Sequence, residues 1–590
     1  MADVSSVLPV RGSSRSSEPP PVRRGQQALF WCAVALLSAL GVFVLPFAFP
    51  PAIPTFSTSC TYGFNNRVAE LFTVSFSAIV LLLLWRMRMG RTPSEGSPGE
   101  RTPPRWLWFA SLAAIVFTAV LGGCVVHANI FYSDASHFIT QLGRVVRDHA
   151  ALYRDVEFPY GPIFFYWAAA IQKGLALVGV SAAAAYMVTL ASMQVLGLYM
   201  LFYILEWLPL THRLRALALV LLTFGALTPL LGMNYTLLRF LLPHTLFLAI
   251  ARCRSLAAQT ILFVGAQVVA LAFSPEIGAA FLGGVGCYAL YRCFTAGWSW
   301  IAAAAAPLAA AGLFIAITSK DYFSVMHHFA VGAFNLVVMP EYHILILLIA
   351  AIALSPIAVA GYLQSRDPRA ASMLGFYIIS LGMMAPSLGR CDPLHTFFGG
   401  FGVYLLSLVA VSRMASVPAR LWVAALALGI IGYQVDDFRV YKILINQAVE
   451  PGPLGSDGVD LSRLEALIHG QRIAAPIITP QRVTEELIRL NQYEPSRFVF
   501  MLDVWDDPSE QQKVEEVRRA PYALVPNWRY QTAHPDFEAS LVSRAFRFNY
   551  RYHPKFAPWI QGKLLMQEFH DHWTPVDSVG AYTVYHQNGR

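Results

Sequence analysis

FYSDASHFITQLGRVVRDHAALYRDVEFPYGP, residues 131–162, is a charged, aromatic-rich stretch between two long apolar runs. It follows the run at 106–127 and closes at Tyr160-Gly161-Pro162, where the next run starts. Two helices can be joined in a few residues. A connector this long, carrying acids, bases and aromatic rings, reads as a structured loop with a task. Phe138, Leu142, Val145, Val146, His149 and Leu152 recur at helical spacing within it. That pattern predicts an amphipathic helix able to lie on a membrane surface.

The flanking runs set the fold class. The chain has 590 residues, 56% hydrophobic and only 13% charged, whereas soluble domains carry about 25% charged residues. A hydrocarbon core of about 30 Å takes roughly 20 residues of helix to cross. Runs of that order lie at 28–49, 66–86, 106–127, 163–179, 183–206, 214–231, 236–250, 258–273, 277–292, 299–318, 343–362, 371–387, 396–412 and 419–435. They are continuously apolar, which disfavours a transmembrane barrel with its alternation of period two. The sequence therefore predicts a mainly α, polytopic helical membrane protein. Its first run is too long for a signal-peptide core and lacks a small-residue cleavage site, so it reads as a retained anchor.

Arginines orient the spans. Arg11, Arg15, Arg23 and Arg24 precede the first run, and Arg86, Arg88, Arg91, Arg101 and Arg105 separate the second from the third. The positive-inside rule makes both sides cytoplasmic and turns the loop 128–162 outward. Counting back from the other end, Arg413 with Arg420, Arg366 with Arg369, Arg252 with Arg254, and His212 to Arg215 mark further cytoplasmic loops. The two counts disagree by one crossing, between residues 162 and 206. Gln172-Lys173 sits in the middle of 163–179. A lysine at the bilayer centre costs about 3 kcal/mol, so this segment is expected to be interfacial or re-entrant, leaving about 13 crossings. Every polar inter-span motif then falls on one face.

Three regions follow. Residues 1–25, rich in Ser, Pro and Arg, are expected to be a disordered cytoplasmic N-terminus; 26–435 form the transmembrane domain. Residues 436–590 carry both charge signs and no spanning run, and read as an outward α/β domain. In that domain, helical patterns at 479–491 and 508–519 alternate with strand-like runs at 473–478, 498–503, 522–526 and 581–586. The net charge of +8 gathers largely in short loops, so it orients the chain and does not signal nucleic acid. Seven scattered cysteines form no disulfide or metal framework.

The outward loops carry the chemistry. Asp134 sits in the first turn of the predicted amphipathic helix. It reads either as a carboxylate placed on the helix dipole or as a general base at the membrane boundary, where partial burial raises its pKa. Asn234-Tyr-Thr-Leu-Leu-Arg239 puts an arginine at the head of a short run, and Ser274-Pro-Glu276-Ile-Gly278 puts a carboxylate between two runs. Gly389-Arg390-Cys391-Asp392-Pro393-Leu394-His395 packs a cation, an acid and a histidine together. Any one of these groups can simply snorkel or pair, but four clusters on one face are harder to explain as structure alone. Arg239 and Arg390 offer guanidinium geometry suited to a phosphate, and His395 a further donor. An acid opposite them would deprotonate an attacking hydroxyl, and apolar helices offer a groove for a lipid tail. Together these describe attack on a sugar held on a lipid phosphate.

Asp134, Leu152-Tyr-Arg-Asp155, Tyr160-Gly161-Pro162 and the motif from Gly389 to His395, in this order and on one side, resemble the C-type membrane glycosyltransferases of bacteria. The resemblance covers roughly 106–412. It implies a polyprenyl-phosphate-linked sugar donor, an inverting single displacement onto a glycan, lipid or protein acceptor, and Asp134 as the base. Arg239, Arg390 and His395 would then hold the donor phosphate, with Tyr160, Glu276 and Asp392 supporting the pocket. It also implies the inner membrane, with the C-terminal domain periplasmic. The chain departs from the commonest pattern in two ways. Ser133-Asp134-Ala135-Ser136 replaces an Asp-Glu pair, which weakens the case for a divalent metal, and two extra runs precede the shared region.

His327-His328 and Glu341, in the loop 320–342, invite a zinc reading, but adjacent residues diverge on a helix, which favours hydrogen bonding or a loop cap. Asp155 and Glu157 read as groups behind the site. Two rival functions remain. A lipid-linked glycan transporter would show paired repeats with broken helices, and no repeat is evident. A non-catalytic envelope assembly protein would tolerate changes at Asp134 and Arg390.

Overall fold

The structure is a computed structural model that describes residues 24–52, 58–89, 105–127, 134–227, 232–332, 336–414, 416–449, 458–476, 481–498, 506–527 and 562–589. The expected disordered terminus 1–25 and the strand-like run at 498–503 fall almost wholly outside these residues.

Helix α1 (Arg24–Phe43) with the short α2 (Leu45–Ala48) and α3 (Thr58–Tyr62) leads to α4 (Asn66–Arg86) and α5 (Arg105–His127). The opening stretch forms α6 (Asp134–Val146), then a tight loop, then α7 (Pro162–Ala176). Helices α8 (Ala182–Trp207), α9 (His212–Gly225), α10 (Leu237–Ala251), α11 (Leu256–Phe273), α12 (Pro275–Ala296) and α13 (Ile301–Ile317) continue the bundle. After α14 (Lys320–Gly332), α15 (Tyr342–Leu348) runs through a π segment at Ile349–Leu354 into α16 (Ser355–Ser365). Pro356 accounts for that irregularity, because it removes a backbone donor inside the helix. The bundle closes with α17 (Ala370–Arg390), α18 (Pro393–Gly399), α19 (Phe401–Val411) and α20 (Ser416–Val449).

Each apolar run read from the sequence contains helix among the described residues. Among the described residues, 9 helices are long and apolar enough to cross a membrane, and the α18–α19 pair, bent by 63°, would make a tenth. The segment expected to be interfacial, α7, is not one of them: its 15 residues rise only about 22 Å at about 1.5 Å each. Helices α9 and α10 are equally short, at 14 and 15 residues. The last run, expected to end near 435, continues as helix to Val449.

Local chemistry fixes the helix starts. Ser181, Thr211 and Ser255 cap α8, α9 and α11, each accepting a backbone N–H, a contact worth about 1 kcal/mol. Pro162, Pro275 and Pro393 open α7, α12 and α18 at the first turn, where no N–H is needed. Small residues draw α12 and α17 together: a Cβ on Gly284 would lie 2.8 Å from the Gly375 carbonyl, and one on Gly382 would lie 2.8 Å from Ala280. Without a hydrophobic force between helices in lipid, such close approach is what lets them associate.

The C-terminal unit is α/β, as its composition predicts. Helices α21 (Leu461–Ile468), α22 (Gln481–Arg489), α23 (Asp507–Val517) and a last helix, Lys563–His572, surround a five-stranded sheet in the order β2-β1-β3-β5-β4. Strands β1 (Ile473–Ala474), β2 (Tyr493–Glu494) and β3 (Tyr522–Pro526) run parallel, and β4 (Trp573–Val579) and β5 (Tyr582–Gln587) add an antiparallel hairpin. The expected strands at 522–526 and 581–586 are β3 and β5; β4 was not foreseen.

Candidate active site

The motifs meet where helices begin. Arg239 lies in the first turn of α10, and its Nε and Nη2 donate to Glu276 Oε1 at 3.2 and 2.5 Å. Nη1 donates to the Asn234 carbonyl at 2.9 Å. Ser274 Oγ donates to the other Glu276 oxygen, so the carboxylate is held on both sides. The Tyr160 ring lies beneath the guanidinium, 4.4 Å from its carbon, an arrangement that favours the cation. Arg239 and Glu276 keep 12% and 24% of their side-chain surface, so the pair is set into a wall and still faces an opening.

Tyr160 is there because the loop is pinned. Gly161 N–H donates to the Phe273 carbonyl at 3.0 Å, and a Cβ on Gly161 would lie 2.3 Å from the Ala272 carbonyl oxygen. Only glycine fits between α7 and the end of α11. Tyr153 donates its hydroxyl to the Tyr160 carbonyl at 2.7 Å and meets Tyr322 edge-on. The carboxylate of Asp155 accepts from the Ala151 N–H at 2.8 Å and from the Arg154 side chain, and those contacts hold it down at about 2.

A second group forms between α17 and α18. Asp392 caps α18 by accepting the His395 N–H at 2.9 Å, and its other oxygen takes His395 Nδ1 at 2.7 Å. His395 Nε2 lies 3.2 Å from the Tyr235 hydroxyl. Burial raises the Asp392 carboxyl, but the hydrogen bonds from His395 and the Arg390 charge outweigh it and hold it below the usual carboxylate range. The Arg390 charge also acts on Tyr160 and His395, and the Arg239 charge on His395, so both groups share one electrostatic field.

Arg239, Glu276, Tyr160, Arg390, Asp392 and His395 are thus brought together from four inter-helix connections. Asp134 opens α6, but its side chain lies outside the described residues. His327 is exposed, while His328 Nδ1 lies 3.9 Å from Glu157 Oε1, within ion-pair range and too far for a hydrogen bond. Buried Glu157 turns to His328 and, through its N–H, to the Arg497 carbonyl at 3.2 Å. Among the described residues no group of three His, Cys, Asp or Glu is arranged to hold a metal. Sequence reasoning missed Tyr235, the Asn234 carbonyl and Ser274. All three lie inside the quoted motifs, yet only their partners reveal what they do.

Two mostly apolar clefts flank the cluster. One is lined by Ile115, Leu190, Gln194 and Tyr235 itself. The other is lined by His343, Thr396, Phe397 and Tyr433, beside His395.

No protein-family model matches the sequence, and no curated protein matches it. Among solved structures, the crystal structure of ArnT from Cupriavidus metallidurans in the apo state matches over 81% of this chain and 97% of that one, with a TM-score of 0.42 at 11% sequence identity.

Proposed function

We propose that this chain is an integral membrane glycosyltransferase. It moves a sugar from a polyprenyl-phosphate donor to a hydroxyl of a glycan, lipid or protein acceptor on the periplasmic face, with inversion. The observation that carries this reading is that Arg239, set over Tyr160 and bonded to the Asn234 carbonyl, lies next to the Tyr235 hydroxyl that meets His395 and, through it, Asp392.

Chemistry follows from the donor set. A guanidinium carries five N–H donors; Arg239 uses one each from Nε, Nη1 and Nη2 within the described residues. The remaining N–H groups suit phosphate oxygens, while Glu276 and Tyr160 fix the plane in which they point. His395, with Nδ1 on Asp392, presents Nε2 on the same side as Tyr235. A phosphate arriving there favours the imidazolium, which donates from Nε2.

In the transfer, the acceptor oxygen forms a bond to the anomeric carbon and its proton passes to Asp134. The bond from that carbon to the phosphate oxygen breaks, and its electron pair leaves on the phosphate, whose charge the arginines meet. Stabilising charge where it develops is the larger part of such catalysis.

General-base help is typically worth about 10²–10⁴-fold, so Asp134→Asn should lower transfer by that factor with membrane insertion unchanged. The measurement is transfer from a radiolabelled polyprenyl-phosphate sugar in isolated membranes. Near-normal transfer by the variant would remove Asp134 from the mechanism, and no transfer by the unsubstituted chain would sink the reading.

A further inference from the structure

The opening loop and the C-terminal unit meet through buried charge. Arg144, in the last turn of α6, is 6% exposed, Glu157 1%, Glu516 5% and Lys513 0%. Segment 496–498 runs between them. Arg144 Nη1 donates to the Ser496 carbonyl and, at 2.8 Å, to the Asp155 carbonyl, while the Glu157 N–H donates to the Arg497 carbonyl. From the other side, α23 holds the same segment. Lys513 Nζ donates to Ser496 Oγ at 3.0 Å and to the Phe498 carbonyl, and Glu516 accepts from Ser496 Oγ and from the Arg497 N–H. Gln141, also on α6, donates to the Glu157 carbonyl at 2.6 Å.

The Lys513 charge also acts, after burial, to lower His137, one turn after Asp134.

Simple adhesion of two units needs only an apolar seam. Burying an arginine, a lysine and a glutamate around one segment is costly unless each is placed and paired, which ties the position of that segment to their geometry. We propose that the C-terminal unit is a fixed wall of the active site, with Arg144 and Lys513 as positioning residues that set the helix beginning at Asp134. What that helix does rests on the glycosyltransferase reading; the grip itself does not.

The test uses the full chain in lipid nanodiscs and compares Arg144→Met, Lys513→Met and Arg144→Lys with the unsubstituted protein. Arg463→Ala, which breaks an exposed pair with Asp577 in the same unit, serves as control. Amide hydrogen exchange in α6 should rise in both Met variants and not in the control. Because a misplacement of about 1 Å costs roughly 10²-fold, kcat should fall by about that factor. The donor KM and the affinity for polyprenyl phosphate should stay within about threefold, since the phosphate groups are elsewhere. Arg144→Lys should recover part of the loss, keeping the charge without the fork. Unchanged exchange in α6, or faster exchange with unchanged kcat, overturns the proposal, as does faster exchange spread equally through α10 and α17. An unsubstituted chain that transfers nothing sinks the functional reading alone, and exchange in α6 still decides the grip.

Discussion

At Gly161 a single methyl group would fall 2.3 Å from the Ala272 carbonyl oxygen. Neither neighbour can yield, because one is backbone and the other side of the turn is tied to Phe273 by a hydrogen bond. Gly161→Ala should therefore push α7 off the end of α11 and carry Tyr160 away from Arg239. Overpacking of this kind costs about 1–3 kcal/mol, so the variant should insert, melt lower in detergent and transfer poorly. Normal melting and transfer would mean that the turn has slack. At this scale the sequence was legible where a charge interrupts an apolar context, as at Arg239, Glu276 and Arg390. It was silent on Tyr235 and Ser274, whose types are ordinary and whose meaning depends on partners far away in the chain.

Among the elements, helices were legible because runs of apolar residues in lipid must satisfy their own backbone. The missed strand β4 has the opposite cause. Trp573–Val579 contains Pro575 and Asp577, and it is tolerated because β4 is an edge strand whose register shifts at those residues. Helix α23 makes a prediction in pH. Glu510, in its first turn, is buried and accepts the Leu565 N–H at 3.1 Å. Burial, only partly offset by backbone hydrogen bonds, raises its carboxyl from 4.5 to about 7. A folded value above the unfolded one means that the protonated group contributes stability fully present below 4.5 and lost as pH rises through about 7. Pulse proteolysis of the full chain at pH 5.5 and 8 should show the C-terminal unit opening more readily at the higher pH, and Glu510→Gln should flatten that difference. An unflattened difference would assign the dependence to other groups.

The whole molecule has two unlike ends. At one, Asn66 donates from Nδ2 to the Leu388 carbonyl at 2.7 Å, Arg239 meets Tyr160, and α6 meets the C-terminal unit. At the other, Gln364 donates to the Leu84 carbonyl at 2.8 Å, Arg252 to the Tyr203 hydroxyl at 3.0 Å, and Arg413 lies 4.4 Å over Tyr362. The second end gathers the arginines that the positive-inside rule assigns to the cytoplasm, and α4 spans from one end to the other. This polarity makes sidedness a claim about the entire chain. Arg463 is exposed in the C-terminal unit and Arg366 is exposed at the arginine-rich end. With Arg463→Cys, a membrane-impermeant maleimide should label intact spheroplasts above the unsubstituted background. With Arg366→Cys, labelling should appear only after permeabilisation. The reverse pattern would place the clustered arginines and Asp392 in the cytoplasm, where the proposed periplasmic transfer has no acceptor. Equal labelling of both in intact spheroplasts would mean that the two ends do not lie on opposite sides of a membrane, and the one-faced site built from them would fall with that.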